Sequence, residues 1–126
     1  MPISRELDRD YAVIDAAIVT AGTVLMHGDN PGEAKAPTGA NVVPAGVMTR
    51  DQDEINEEAP LRKAGFAECI ASAAIARGAY VNIADTDGKV KTVSEGAGTR
   101  NILGVAETAA AADEDPITVF INIQQG

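Results

Sequence analysis

The feature that most restricts what this chain can fold into is a phrase that it carries twice. GTVLMHGDNPGEAK at 22–35 and GAYVNIADTDGKVK at 78–91 align without a gap, 56 residues apart. Gly22 falls on Gly78, Leu25 on Val81, Asp29 on Asp85, Gly32 on Gly88 and Lys35 on Lys91. The likeness starts upstream, with AAI at 16–18 and 73–75. It continues downstream after two extra residues, where PAGVMTRD at 44–51 parallels ILGVAETA at 102–109. Turn chemistry alone also makes Gly and Asp recur; the shared order favours a copy. Two copies are fewer than the three or more that a stacked solenoid needs, which points to a duplicated β-hairpin unit folded back on itself.

Around the repeats, short apolar runs bounded by turns give the texture of an all-β domain. Strands are expected at 12–14, 23–27, 42–49, 64–71, 79–84, 88–94, 101–107 and 116–123. The clearest hairpin is ADTDGKV. Its Asp87-Gly88 pair suits the positive φ of a tight turn, with Val81 and Ile83 facing Val90 and Val93. The corresponding GDNPGE contains Pro31 and predicts a looser turn. In ITVFINI, Val119, Ile121 and Ile123 point one way and Thr118, Phe120 and Asn122 the other. That is the pattern of an internal strand whose Phe120 is covered by a neighbour. The stretch AETAAAADEDP reads as a strand end running into an acidic turn closed by Pro116.

The expected division is an N-terminal arm, residues 1–11, and a single β domain, residues 12–126. In the arm, Ile3, Leu7 and Tyr11 are spaced four apart among charged residues, which would place them on one face of a short helix. An isolated helix of that length is marginal in water. The segment therefore either orders against something else, helical or extended, or frays.

One domain of 126 residues can bury a real core. Much of its 45% hydrophobic content is alanine, however, and Tyr11, Phe66, Tyr80 and Phe120 are its only aromatics. The core should be thin, with part of the stability supplied by partners or self-association. A net charge of −9 argues against nucleic acid as a partner, because phosphate binding needs clustered Lys and Arg. No segment approaches the ~20 apolar residues that cross a bilayer, and the N-terminus lacks a signal-peptide core. A soluble, reducing compartment is expected, with no membrane contact.

The catalytic inventory is sparse. Cys69, the sole cysteine, sits in FAECIA and reads as a small core residue. His27 has no second histidine or cysteine near it in sequence, so neither a zinc site nor a dyad with Cys69 is prepared. Asp51, Asp53, Glu54, Glu57 and Glu58 crowd together without the glycine of a calcium loop. They read as a solvated acidic connection that could face a partner. SEGAGTRN has G-x-G without the rest of a phosphate-binding fingerprint, leaving Arg100 as a solvated or contact residue on a hairpin loop. No catalytic, metal or cofactor-binding residue is assigned, and the chain does not read as an enzyme.

The run RKAGFAECIASAAIARGAYVNIADTDGKVKTVSEGAGTRNILGVAETAAAADEDPITVFI resembles the small head decoration, or capsid cement, proteins of tailed bacteriophages. The elements that carry the resemblance are Phe66 to Ile70, Ala73 to Gly78, the Asp85 to Gly88 turn, Gly104 to Ala106, Ala109 to Ala112 and Ile117 to Ile123. A departure is Asp113-Glu114-Asp115-Pro116, where the family often has glycine. The resemblance implies a β-barrel or β-tulip domain, closed by the two hairpin copies, on the outside of the virion, made in the host cytoplasm. It would bind the lattice of the major capsid protein between coat subunits, as a homo-oligomer (dimer or trimer), and stabilise the expanded head against DNA pressure. Within it, Ile3, Leu7 and Tyr11 are expected to contact the coat, with Arg5 and Arg9 pairing to coat carboxylates. Deleting residues 2–11 should then weaken shell binding and leave the β domain folded. A phage tail-tube or head–tail joining subunit is an alternative, as is a small carbohydrate- or peptide-binding module.

Overall fold

The computed structural model describes residues 7–14, 19–52, 57–93 and 101–125. Ile3, Arg5, the AAI at 16–18, Asp53, Glu54 and residues 94–100 with Arg100 lie outside them. Nine strands form one connected sheet: β1 (Leu7–Val13), β2 (Val24–His27), β3 (Glu33–Lys35), β4 (Pro44–Met48), β5 (Glu58–Ile70), β6 (Tyr80–Ile83), β7 (Val90–Thr92), β8 (Asn101–Ala106) and β9 (Pro116–Gln125). The spatial order is β1-β3-β2-β4-β5-β9-β8-β6-β7, with β1 also paired to β5. That extra pairing closes β1, β3, β2, β4 and β5 into a five-stranded barrel. Among the described residues there is no helix, and none long and apolar enough to cross a membrane.

The duplication extends well beyond a hairpin. Met26 and His27 pair with Lys35 and Ala34, and 56 residues on Asn82 and Ile83 pair with Lys91 and Val90. Val24 and Leu25 pair with Val47 and Gly46 as Tyr80 and Val81 pair with Val105 and Gly104. Val47 and Met48 meet Arg62 and Leu61 as Val105 and Ala106 meet Phe120 and Val119. Loop bonds repeat as well: the Gly22 N–H donates to Met48 O at 2.9 Å and that of Gly78 to Ala106 O at 2.7 Å. Both glycines have positive φ, as do Gly32 and Gly88 in the two turns.

The same correspondence carries β1 onto the second half of β5, and the first half of β5 onto β9. Ala12 pairs with Glu58 where Ile70 pairs with Pro116, and Val13 pairs with Ala34 in parallel where Ala71 bridges to Val90. Each copy is thus a five-stranded unit, and β5 is the last strand of one and the first of the next. Two hairpin copies closing a single barrel was the expectation; instead each copy curls around its own core, the second closed between β5 and β7 by one bridge.

The two cores match position by position. The first holds Tyr11, Val13, Val19, Leu25, Ala34, Ala45, Met48, Ala59 and Leu61. Their counterparts in the second are Cys69, Ala71, Ile75, Val81, Val90, Leu103, Ala106, Ile117 and Val119. Large residues in one copy face small ones in the other: Tyr11 and Met48 against Cys69 and Ala106, Ala34, Ala45 and Ala59 against Val90, Leu103 and Ile117. Exchanges of large for small residues between matched positions leave little sequence identity between the two cores. Val24 and Val47, which point out of the first barrel, are fully buried and join the second core. The second barrel is therefore completed by its neighbour.

Residues 7–11 are not helical and do not stand off as an arm. They pair antiparallel with Ala59 to Ala64 of β5, so the boundary drawn at 11 falls inside a strand. The four-residue spacing of Ile3, Leu7 and Tyr11 is outweighed by the free edge that β5 offers and by the site for Tyr11 in the core.

Candidate interaction surface

The duplication supplies an internal control for function, since positions that differ in chemistry between two copies of one fold are not dictated by the fold. One such set lies at an end of the first barrel. The Lys63 Nζ donates to the Tyr11 hydroxyl at 2.8 Å and to the Ala45 carbonyl at 2.9 Å, and stands 5.2 Å from the Tyr11 ring centroid. The Arg9 guanidinium is 5.3 Å from the same centroid, and the His27 ring packs edge-on at 6.1 Å. Partial burial pushes the His27 pKa down, and the charges of Lys63 and Arg9 lower it further. The counterparts in the second barrel are Cys69, Ile121, Ala67 and Ile83, an apolar set. On a chain with net charge −9, two cations and an exposed imidazole around one tyrosine form a local positive face.

The sequence-expected contact residues divide accordingly. Leu7 is 59% exposed at the start of β1, and Arg9 is exposed at this cationic end. Tyr11, by contrast, is 2% exposed: its ring belongs to the first core, and it meets Lys63 through both its hydroxyl and its ring face. Ile3 and Arg5 lie outside the described residues. Sequence reading passed over Lys63 and weighed His27 only for metal or dyad chemistry; the two are 36 residues apart and come together only when the β1–β5 pairing closes the barrel.

A second set runs across the outer face of the second barrel. Phe66 pairs with Phe120, Phe120 with Val105 and Val105 with Tyr80, one row over β5, β9, β8 and β6. Phe66, Phe120 and Tyr80 are 38%, 41% and 41% exposed, and the two phenyl rings meet edge to face, centroids 5.2 Å apart. Phe120, expected to be covered, stays exposed between Phe66 and Val105. Next to Phe66 an open cleft of about 350 Å³ is lined by Gly22, Met48, Thr49, Arg62 and Glu68. Its Arg62 is already engaged, by Asp8 and by the Phe66 carbonyl.

The other residues weighed for chemistry fall elsewhere. Cys69 is fully buried in the second core, its thiol pKa pushed up to about 12 by burial and then by Glu68, which leaves it protonated and inert. Asp51 is tied to the Ala21 N–H at 2.8 Å, and Glu57 lies 3.8 Å from Arg50. Among the described residues no three His, Cys, Asp or Glu side chains converge as metal ligands.

No family model matches the sequence, and a comparison with curated proteins finds no match. Solved structures do resemble it, including the crystal structure of the head fiber gp8.5 N base in bacteriophage phi29. The TM-score is 0.69 at 16% identity, with 92% of this chain and 95% of that one covered. Along nearly its whole length, the chain shares the all-β fold of a phage head fiber base.

Proposed function

We propose that the chain is a structural subunit of a tailed-phage head. It acts as a decoration or cement protein, a homo-oligomer that binds the outside of the expanded icosahedral shell between coat subunits. The observation that carries this reading is the end-to-end likeness of fold to a phage head fiber base, joined to the order of elements that resembles decoration proteins. Its place would be the outer surface of the virion, after synthesis in the host cytoplasm. The role needs no turnover, metal or cofactor. A ligand that binds only the expanded lattice stabilises it by linkage, by about 2.7 kcal/mol per site at a hundredfold excess over Kd.

In this reading the cationic end of the first barrel is the coat contact. Leu7 supplies apolar area, Arg9 pairs with coat carboxylates beside Lys63, and Ile3 and Arg5 extend the contact. Truncation does not test it, since removing residues 2–11 deletes most of the strand that closes the first barrel. Point substitution does. Arg9→Glu should weaken co-sedimentation with expanded shells about tenfold, roughly 1.4 kcal/mol, with unchanged thermal unfolding. Wild-type protein should saturate expanded shells at a fixed ratio to coat subunits and leave unexpanded shells bare. Equal binding of both shell forms, or none, would sink the cement role. A second reading, also favoured by the fold likeness, makes the chain the base of an external head fiber. Particles would then carry it joined to a fibre rather than alone.

A further inference from the structure

The row of outward residues that crosses the second barrel has a counterpart in the first. There Asp8, Arg62, Val47 and Val24 are paired in the same sequence over β1, β5, β4 and β2. Asp8 and Arg62 form an ion pair, while Val47 and Val24 have no exposed surface because the second repeat lies over them. The turn of the second hairpin contributes to this cover: the Val24 N–H donates to the Gly88 carbonyl at 2.9 Å, and a Cβ on Gly88 would stand 2.5 Å from Thr23 Cγ2. In the second repeat the row is Phe66, Phe120, Val105 and Tyr80, and no third repeat lies over it. Gly32, the first repeat's counterpart of Gly88, likewise has nothing within 4 Å of where its Cβ would stand.

We propose that the aromatic row is a self-association face, covered by a second copy of this chain. It rests on the homo-oligomer proposed above and says which surface makes it. The Val47 and Val24 half of the equivalent face of the first repeat is already covered by a unit of this same fold, so the molecule itself displays an occupant. The chemistry agrees. None of the four row residues is a carboxylate, so two copies that each carry −9 can meet along the row without burying one. Glu68 and Glu107, both exposed, stay at the rim, the latter 3.9 Å from Arg77. Clustered aromatics are the residues that dominate association energies when desolvated. Three on one row exceed the scattered apolar exposure ordinary for a monomer.

The test is sedimentation equilibrium of the full chain, at low and at high salt, beside Phe120→Ser and Tyr80→Ser. Wild-type protein should associate reversibly, more tightly at high salt as repulsion between the acidic copies is screened. Each substitution should weaken association about tenfold or more. Circular dichroism checks that the variants fold, and the two sites lie on different strands, so one misfolded variant leaves the other to decide. A wild type that stays monomeric at every concentration overturns the proposal, as do variants that associate like wild type. Unchanged association with lost shell binding would give the row to the coat and also overturn it. Association through the row by a protein that ignores shells would sink the head-surface reading and leave this contact standing.

Discussion

At the scale of the residue, glycines record the duplication most faithfully. A Cβ on Gly46 would stand 2.8 Å from the Arg62 carbonyl oxygen, and one on Gly104 only 2.0 Å from that of Phe120. These are the same position in the two repeats, where neighbouring strands approach too closely for any side chain. Gly78 is glycine for another reason: its surroundings are open, but its φ is +88°. Gly104→Ala should therefore destabilise by about 3 kcal/mol or more, since backbone must move. Gly78→Ala should cost only about 1–2 kcal/mol for the left-handed backbone. Urea unfolding separates the two; equal effects would mean that the close approach is not what fixes Gly104. The Gly-Val match was legible in the sequence. So was its place inside strands expected at 42–49 and 101–107; that a neighbouring backbone presses on this glycine was not, because the letter does not reveal which strand lies beside it.

At the scale of the element, most strands followed from alternation and turn chemistry, and the exceptions have physical reasons. The strand β3 was hidden because only Ala34 is buried in it, so three short residues carry no apolar period. It forms because β1 and β2 supply partners on both sides. The first half of β5 was hidden by Pro60, read as the end of a connection. Its counterpart is Thr118, whose N–H leaves the ladder and donates to Thr108 Oγ1 at 3.0 Å. A proline there forfeits no bond between strands. The acidic turn before β9 was foreseen, though not how it holds. Asp115 Oδ2 accepts the N–H groups of Ala111 and Ala112 at 2.9 and 3.1 Å, and Lys89 pairs with Asp113 and Glu114 across from the second hairpin. Asp115→Ala should lower stability by about 1–2 kcal/mol through those two donors, whereas Asp113→Ala, which leaves Lys89 its pair with Glu114, should change it little. Calorimetric melting distinguishes them.

At the scale of the whole molecule, the two barrels are not separable domains. They share β5, and Val24 and Val47 of the first complete the core of the second. Unfolding should be one transition. Leu61 and Leu103 lie fully buried in different cores, and Leu61→Ala and Leu103→Ala should each destabilise by about 2–5 kcal/mol. Each should shift the same single midpoint, whether followed by circular dichroism or by tyrosine fluorescence; two resolved transitions in either variant would contradict the shared strand. The candidate surfaces were the part least legible in the chain. The cationic end gathers Arg9, His27 and Lys63 from three strands, and the aromatic row gathers four residues from four strands, each spaced by loops whose lengths do not reveal registry. Only the comparison of one repeat with the other singles them out.

The sharing of β5 also has a mechanical side. Its 13 residues form one continuous strand that runs from one barrel to the other, interrupted only by a bulge at Lys63 opposite Leu7 and Asp8 and by the positive φ of Gly65. Along its first half it is bonded to β1 and β4, along its second to β9. A pull that drives the barrels apart along this strand can straighten only the bulge and Gly65 before it loads those ladders in shear. Their bonds must then yield together rather than unzip one by one.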